Sequence, residues 1–185
     1  MIHTLVDDEA FNEVLYPLLN TVPNTKAVIV EIGSFLGGSI SRIGHKLKEL
    51  NKVDFELYAI DNWLCSNISI ESRQWVGVFS NFYLEFWKNI CDKKLDKQVT
   101  PISIDSIEAS NDFDNESVDF IFLDGEHTYP YVLNEIKAWL PKIKVGGVIC
   151  GHDYCSCDGI RIAVEEVFKD KFKLNSTKTA YWVIK

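Results

Sequence analysis

Six side chains that can carry charge or protons stand where short apolar runs end: Glu31, Asp61, Asp105, Asp124, His152 and Asp153. Carboxylates and imidazoles so placed serve proton transfer or cation binding near neutral pH. Around the first of them the chain reads VIVEIGSFLGGS, Val28 to Ser39, with glycines at Gly33, Gly37 and Gly38. A β-branched run, a glycine turn and a helix bring backbone N–H groups to face a ligand, and glycine lets that ligand come close. The spacing departs from the dinucleotide fingerprint G-x-G-x-x-G, because three residues separate Gly33 from Gly37. Glu31 lies inside the end of the strand, where an acid has no packing role.

Asp61 lies 28 residues after Gly33. An acid at the end of a second strand can accept both hydroxyls of a ribose; the plainer alternative is an Asp that shapes its own turn. Asp105-Ser106 suits an adenine edge, and equally a helix cap. Further on, Asp124-Gly125-Glu126-His127 and His152-Asp153 occupy the ends of two later strands. Neighbouring strands lie about 4.8 Å apart, so Asp124 and Asp153 would be like charges in one crevice. Such a pair shares a proton or neutralises a cation. With one imidazole among oxygens, the set Asp124, His152 and Asp153 suits Mg²⁺, Mn²⁺ or Ca²⁺. Zinc on Cys150, His152, Cys155 and Cys157 is disfavoured, because Cys150 alternates into the sheet. Glu126 and His127 are the candidate general bases, although His127 could instead cap the next helix or bind a ligand carboxylate. His45 reads as surface, and His3 carries no signal.

The elements that must position these groups follow from periodicity. Asp7 or Asp8 can cap a first helix with Phe11, Val14, Leu15, Leu18 and Leu19 on one face, and Pro17 should kink or split it. Strands are expected at Val28 to Val30, Phe55 to Ile60, Val99 to Ile104, Val118 to Leu123 and Val148 to Cys150. Gly146-Gly147 reads as the turn before the last of these. Asn62 to Arg73 reads as irregular, with Trp63 and Leu64 exposed-looking. A helix carrying Trp75, Phe79, Phe82, Phe86 and Ile90 should follow, its stripe packed on the sheet. Thr128 and Pro130 open a helix that Pro141 ends, and Asp158 caps another. The closing strands, around Phe172 to Leu174 and Ala180 to Ile184, are joined by too short a turn to be parallel. Alternating strands and helices imply an α/β fold, a mostly parallel sheet covered on both faces. Ligands of such sheets lie beyond the carboxyl ends of the strands, where the polar residues gather.

The 185 residues suit a single domain, with a helical segment over 1–25 and the core over 26–185. A net charge of −8 argues against nucleic acid as a partner. The sequence has no apolar run of about 20 residues, so no membrane span is expected. Five cysteines without framework spacing fit reduced thiols in a cytoplasmic protein.

The combination of EIGSFLGGS, Asp61, LDGEHTYPYV and GGVICGHDY resembles the class I S-adenosylmethionine-dependent methyltransferases. Within them it is most similar to the small branch of macrocin-type sugar O-methyltransferases and cephalosporin-hydroxylase-like proteins. The resemblance implies a doubly wound, Rossmann-like seven-stranded sheet in the order 3-2-1-4-5-7-6 with an antiparallel last strand. It implies S-adenosyl-L-methionine held by Glu31, Gly33, Ser34, Phe35, Gly37, Gly38 and Ser39 at the methionine part. Asp61, Asn62 and Trp63 would follow at the ribose, Asp105 and Ser106 at the adenine, with Asp124 beside them. It also implies Mg²⁺ or Mn²⁺ on Asp124, His152 and Asp153, with Asp124, Glu126 and His127 catalytic. His152 departs from the relatives' second Asp, and His127 is a further departure. The acceptor would be a small-molecule or glycan hydroxyl, a sugar first, with Trp63 or Trp75 against its face. A homodimer, or membership of a larger multidomain chain, is compatible with this reading. A nicotinamide oxidoreductase and a non-catalytic binding module are the competing expectations.

Overall fold

The computed structural model describes residues 5–64 and 81–185. The expectations for Trp75 and Phe79, and for the segment from Cys65 to Arg73, lie outside them. The chain opens with a short helical run: α1 (Asp8–Ala10), a π-helical stretch (Phe11–Leu15) and α2 (Tyr16–Leu19). Asp7 caps it, its Oδ1 accepting the Ala10 N–H at 2.7 Å. Pro17 has no N–H to donate, and its ring crowds the carbonyl four residues back. The wider turn just before it, where the Tyr16 N–H reaches the Phe11 carbonyl, relieves that crowding without ending the helix.

Seven strands follow: β1 (Ala27–Ile32), β2 (Phe55–Ile60), β3 (Val99–Ile102), β4 (Val118–Leu123), β5 (Ile143–Gly151), β6 (Lys173–Leu174) and β7 (Tyr181–Ile184). They form one sheet in the order β3-β2-β1-β4-β5-β7-β6. The first five pair in parallel, and β7 is antiparallel to both β5 and β6. Among the described residues the remaining α-helices are α3 (Gly38–Glu49), α4 (Phe82–Asp92), α5 (Ser106–Ala109), α6 (Tyr129–Trp139) and α7 (Asp158–Phe168). This is the Rossmann-like architecture expected from the sequence.

Alternation along the strands splits the core into two layers. Ile29, Leu57, Phe120, Phe122 and Cys150 face the N-terminal helices, α3 and α4. Val30, Ile32, Ile121, Leu123 and Ile149 face α6 and α7. Fully buried Phe86 and Ile90 on α4 lie in the first layer, as the aromatic periodicity required.

Three boundaries differ from expectation. β5 begins at Ile143 rather than Val148, because Gly146, at φ +82°, lets the strand bulge through the glycine pair instead of turning there. β3 stops at Ile102. The residue capping α7 is Cys157, and Asp158 is already helical, paired with Arg161 at 2.7 Å.

Candidate active site

At the carboxyl ends of the central strands the backbone is knitted into one rim. Gly33 N–H donates to Ile60 O at 2.8 Å, Asp124 N–H to Ile32 O at 2.9 Å, and His152 N–H to Leu123 O at 3.2 Å. The β1 and β4 ends approach so closely that a Cβ on Gly33 would stand 2.2 Å from the Asp124 carbonyl oxygen. Gly33 also holds φ +84°, so glycine is required there on two counts.

Glu31 lies in the same layer as α3 and α4, completely buried. Neither carboxylate oxygen has a hydrogen-bond partner among the described residues, and the Ser34 hydroxyl beside it is likewise unpaired. Burial pushes the Glu31 carboxyl up to about 7, against a smaller downward pull from the Ser39 and Ser34 hydroxyls, which face it without closing a hydrogen bond. Gly37, in the left-handed conformation, caps α3 and starts it with Gly38 and Ser39. A Cβ on Gly37 would meet Phe86 and Ile90 at 3.1 Å.

Asp61 braces this turn. Its Oδ2 accepts the Phe35 N–H at 2.8 Å, and its Oδ1 accepts the Trp63 N–H at 2.7 Å. Phe35 and Trp63 are non-glycine residues at φ 43° and 50°, a conformation that costs on the order of 1–3 kcal/mol each unless neighbours impose it. The same carboxylate supplies that imposition to both. Burial nevertheless raises the Asp61 pKa, and the two amide donors only partly offset it. Trp63 is buried rather than exposed: its indole N–H donates to Phe35 O at 2.8 Å, and its ring packs on Phe86 and Tyr83. It is therefore a wall beneath the turn, with no open face for a sugar to stack upon. Asn62 is exposed and accepts the Leu64 N–H.

Asp105 does cap a helix. Its Oδ1 accepts the Ile107 and Glu108 N–H groups of α5, and its Oδ2 accepts the Tyr131 hydroxyl at 2.5 Å. Ser106 donates to Glu135, and the Trp139 indole N–H donates to Ser106 O at 3.0 Å. Burial pushes Glu135 up to about 7. Tyr131 and Glu135 escaped the sequence reading. The signal was present, since Glu135 shares the buried face of α6 with Val132, Ile136 and Trp139.

At the far end of the crevice three acids surround one imidazole. His152 Nε2 lies 2.8 Å from Asp7 Oδ2; its Nδ1 lies 3.5 Å from Asp153 Oδ1 and 3.8 Å from Asp124 Oδ1. Burial alone would lower the His152 pKa, but Asp153, Asp124 and Asp7 together push it up to about 9. Asp153 falls to about 2: burial opposes ionisation, and His152 and Ser156 outweigh it. Burial raises Asp124 well above the carboxylate range, with His152 opposing and Asp153 and Glu31 adding to the rise. Asp7 was legible as a cap, but its contact with His152 spans 145 positions of sequence and no local pattern announces it.

The two base candidates stand beside this cluster. Glu126 Oε1 accepts the His127 and Thr128 N–H groups at 2.9 and 3.1 Å, just ahead of α6, whose N-cap position is Thr128 and not His127. His127 Nε2 faces Asp153 Oδ2 at 3.5 Å. Cys150 is buried, its thiol directed at Ile121 O, and does not join the histidines.

A family model described as a methyltransferase domain matches residues 30–154. An uncharacterized protein of Acanthamoeba polyphaga mimivirus is 30% identical over 141 residues, which are 76% of this chain. The chain spans 58% of the length of that relative. Among solved structures, the O-methyltransferase NovP superposes with a TM-score of 0.71 at 17% identity, covering 100% of this chain and 83% of its own. CalS11, a TDP-rhamnose 3'-O-methyltransferase of calicheamicin biosynthesis, gives 0.65 at 12% identity, over 96% and 78%. An O-methyltransferase from Bacillus cereus, in complex with SAH, gives 0.61 at 16% identity, over 100% and 84%. No helix among the described residues is long and apolar enough to cross a membrane.

Proposed function

The chain belongs to the methyltransferase-domain family, and we propose that it transfers the methyl group of S-adenosylmethionine to a hydroxyl of a small molecule, with a sugar as first choice. The observation that carries this reading is the unpartnered, fully buried carboxylate of Glu31 against the glycine turn. A dinucleotide would bring a pyrophosphate dianion to the glycine turn, against Glu31. S-adenosylmethionine instead brings a sulfonium and an ammonium, and positive charge is what this acidic rim stabilises. The SAH-bound structure from Bacillus cereus, of like fold, supports the cofactor, and CalS11, with its TDP-rhamnose, supports the sugar.

Bound S-adenosylmethionine supplies a methyl group already activated on sulfur, so positioning carries most of the catalysis. Glu31 and the Gly33–Ser39 turn hold its amino-acid part, Asp61 fixes the turn beside the ribose, and the Asp105–Ser106 edge closes the adenine side. An acceptor hydroxyl would be oriented at Asp124, and its proton would pass to Glu126 or His127.

Asp124, His152 and Asp153 place their donor atoms within 4.8 Å of one another and fit a hard divalent cation, Mg²⁺ or Mn²⁺. Asp7 supports the fit, holding the outer imidazole nitrogen as carboxylates do behind metal-bound histidines. The cation would have to displace the His152 proton, and when bound it would lower the pKa of an acceptor hydroxyl.

Calorimetric titration tests the cofactor. S-adenosylmethionine is expected to bind in the micromolar range, Asp61→Ala to abolish binding, and NAD⁺ to give no heat. Absence of binding with and without Mg²⁺ would overturn the reading in favour of a non-catalytic module. Mass spectrometry of TDP-rhamnose incubated with enzyme and cofactor then tests the acceptor class by a gain of one methyl.

A further inference from the structure

We propose that His127, Asp153 and Cys157 form a second cation site, for a thiophilic divalent transition metal with Zn²⁺ foremost. Their Nε2, carboxylate oxygen and Sγ all lie within 4.8 Å of one another. They come from two separate connections, the one between β4 and α6 and the one between β5 and α7. Gly159 makes the meeting feasible: a Cβ there would stand 2.1 Å from the His127 carbonyl oxygen. On the second connection, the Cys157 N–H donates to Asp153 O at 3.0 Å, closing a turn that holds both residues together.

His127 Nε2 is buried and has no hydrogen-bond partner among the described residues, although Asp153 Oδ2 stands only 3.5 Å away. A buried ring nitrogen left unpaired beside a carboxylate and a thiol is arranged for a shared ligand rather than for either neighbour. The donor set fixes the class. One imidazole, one carboxylate and one thiolate suit Zn²⁺, Fe²⁺ or Co²⁺, whereas Mg²⁺ takes oxygens. Charge agrees: a carboxylate and a thiolate neutralise the ion. Three protein ligands leave a fourth position for water or a ligand oxygen.

This set shares Asp153 with the harder set formed with Asp124 and His152, and it does not depend on methyl transfer. It does decide between the two bases. With His127 in a metal's coordination sphere, Glu126 is left to take the acceptor proton.

Co²⁺ titration of the full chain, followed by absorption, tests the site without turnover. Thiolate-to-cobalt charge transfer in the near ultraviolet is expected at one equivalent. Cys157→Ser should abolish the band, and His127→Gln should weaken Co²⁺ and Zn²⁺ binding by about tenfold or more. Cys155→Ser should leave the band, since Cys155 is exposed and outside the cluster. Zn²⁺ should raise the thermal midpoint of the wild type but not of Cys157→Ser, whose metal-free midpoint shows that it folds. A missing thiolate band, a band that survives Cys157→Ser, or one lost in Cys155→Ser would each overturn the proposal. None of these readouts involves S-adenosylmethionine, so this site and the methyl-transfer reading fail independently.

Discussion

Asp7 Oδ2 lies 2.8 Å from His152 Nε2, so the cap of the first helix is also the outer wall of the acidic crevice. One carboxylate joins two tasks, because its other oxygen accepts the Ala10 N–H. The two can be separated. Asp7→Asn keeps an oxygen for the cap but loses the ionic partner of His152, whereas Asp7→Ala loses both. Loss of a cap costs about 1 kcal/mol, and taking one of the three acids from around buried His152 adds to it. Urea unfolding should therefore rank wild type above Asp7→Asn above Asp7→Ala, with the last about 2–4 kcal/mol below wild type. Equal stability of the two variants would mean that the cap contributes nothing, and equal stability of wild type and Asp7→Asn that the ion pair contributes nothing.

Gly33 and Gly146 offer a controlled comparison of strain with collision. Both hold φ near +80°, at +84° and +82°, yet a Cβ on Gly146 meets nothing within 4 Å while one on Gly33 strikes Asp124. Gly146→Ala should cost about 1 kcal/mol, the ordinary penalty of the left-handed region. Gly33→Ala must also push the β4 end away, and should cost at least about 3 kcal/mol or fail to fold. Chemical unfolding of the two variants side by side measures the difference.

The strand pattern made most of the fold legible. Val118–Leu123 and Phe55–Ile60 are runs whose composition and flanks admit little else, and the acids after them mark the crevice. What escaped was information that sequence holds only through tertiary contact. Trp63 follows Asn62 and precedes a polar stretch, which reads as exposed; its burial comes from Phe86 and Tyr83 on a distant helix. Asp61 was legible as a strand-end acid with two open roles, and its bonds to Phe35 and Trp63 show the one that shapes and braces the turn. The meeting of His127 with Cys157 depends on Gly159, a residue whose importance appears only once α7 is docked.

That brace leads to a prediction at Asp61. Asn there presents one oxygen and one NH₂ to two amide donors, so one of the Phe35 and Trp63 hydrogen bonds must be lost. Asp61→Asn should weaken S-adenosylmethionine binding by about tenfold or more, since one charged hydrogen bond is worth about 1.5–3 kcal/mol. It should also lower stability by about 1–2 kcal/mol with no ligand present. A purely ligand-facing acid would give the first effect without the second, and calorimetry paired with denaturation separates them.

Glu31 and Glu135 together set a pH dependence whose sign is opposite to that of carboxylates ion-paired in the folded state, whose stabilisation is lost in acid. Both carboxyls are held near 7 in the folded chain by burial, against about 4.3 when unfolded. Between those values the folded state keeps protons that the unfolded state has released. Stability from these two groups is therefore full below about pH 4.3 and is lost as pH rises through 7. Asp153, held near 2, contributes in the reverse direction, its share being lost as pH falls below about 4. Subtracting profiles isolates the buried pair from it. Glu135→Gln keeps an acceptor for the Ser106 hydroxyl but cannot ionise. Relative to wild type it should gain stability as pH rises above about 4.3, reaching on the order of 3–4 kcal/mol by pH 8. Glu31→Gln should show the same gain while losing affinity for S-adenosylmethionine, because its charge faces the ligand. A Glu31→Gln variant that gained stability and bound as tightly as wild type would place the cofactor's positive end elsewhere.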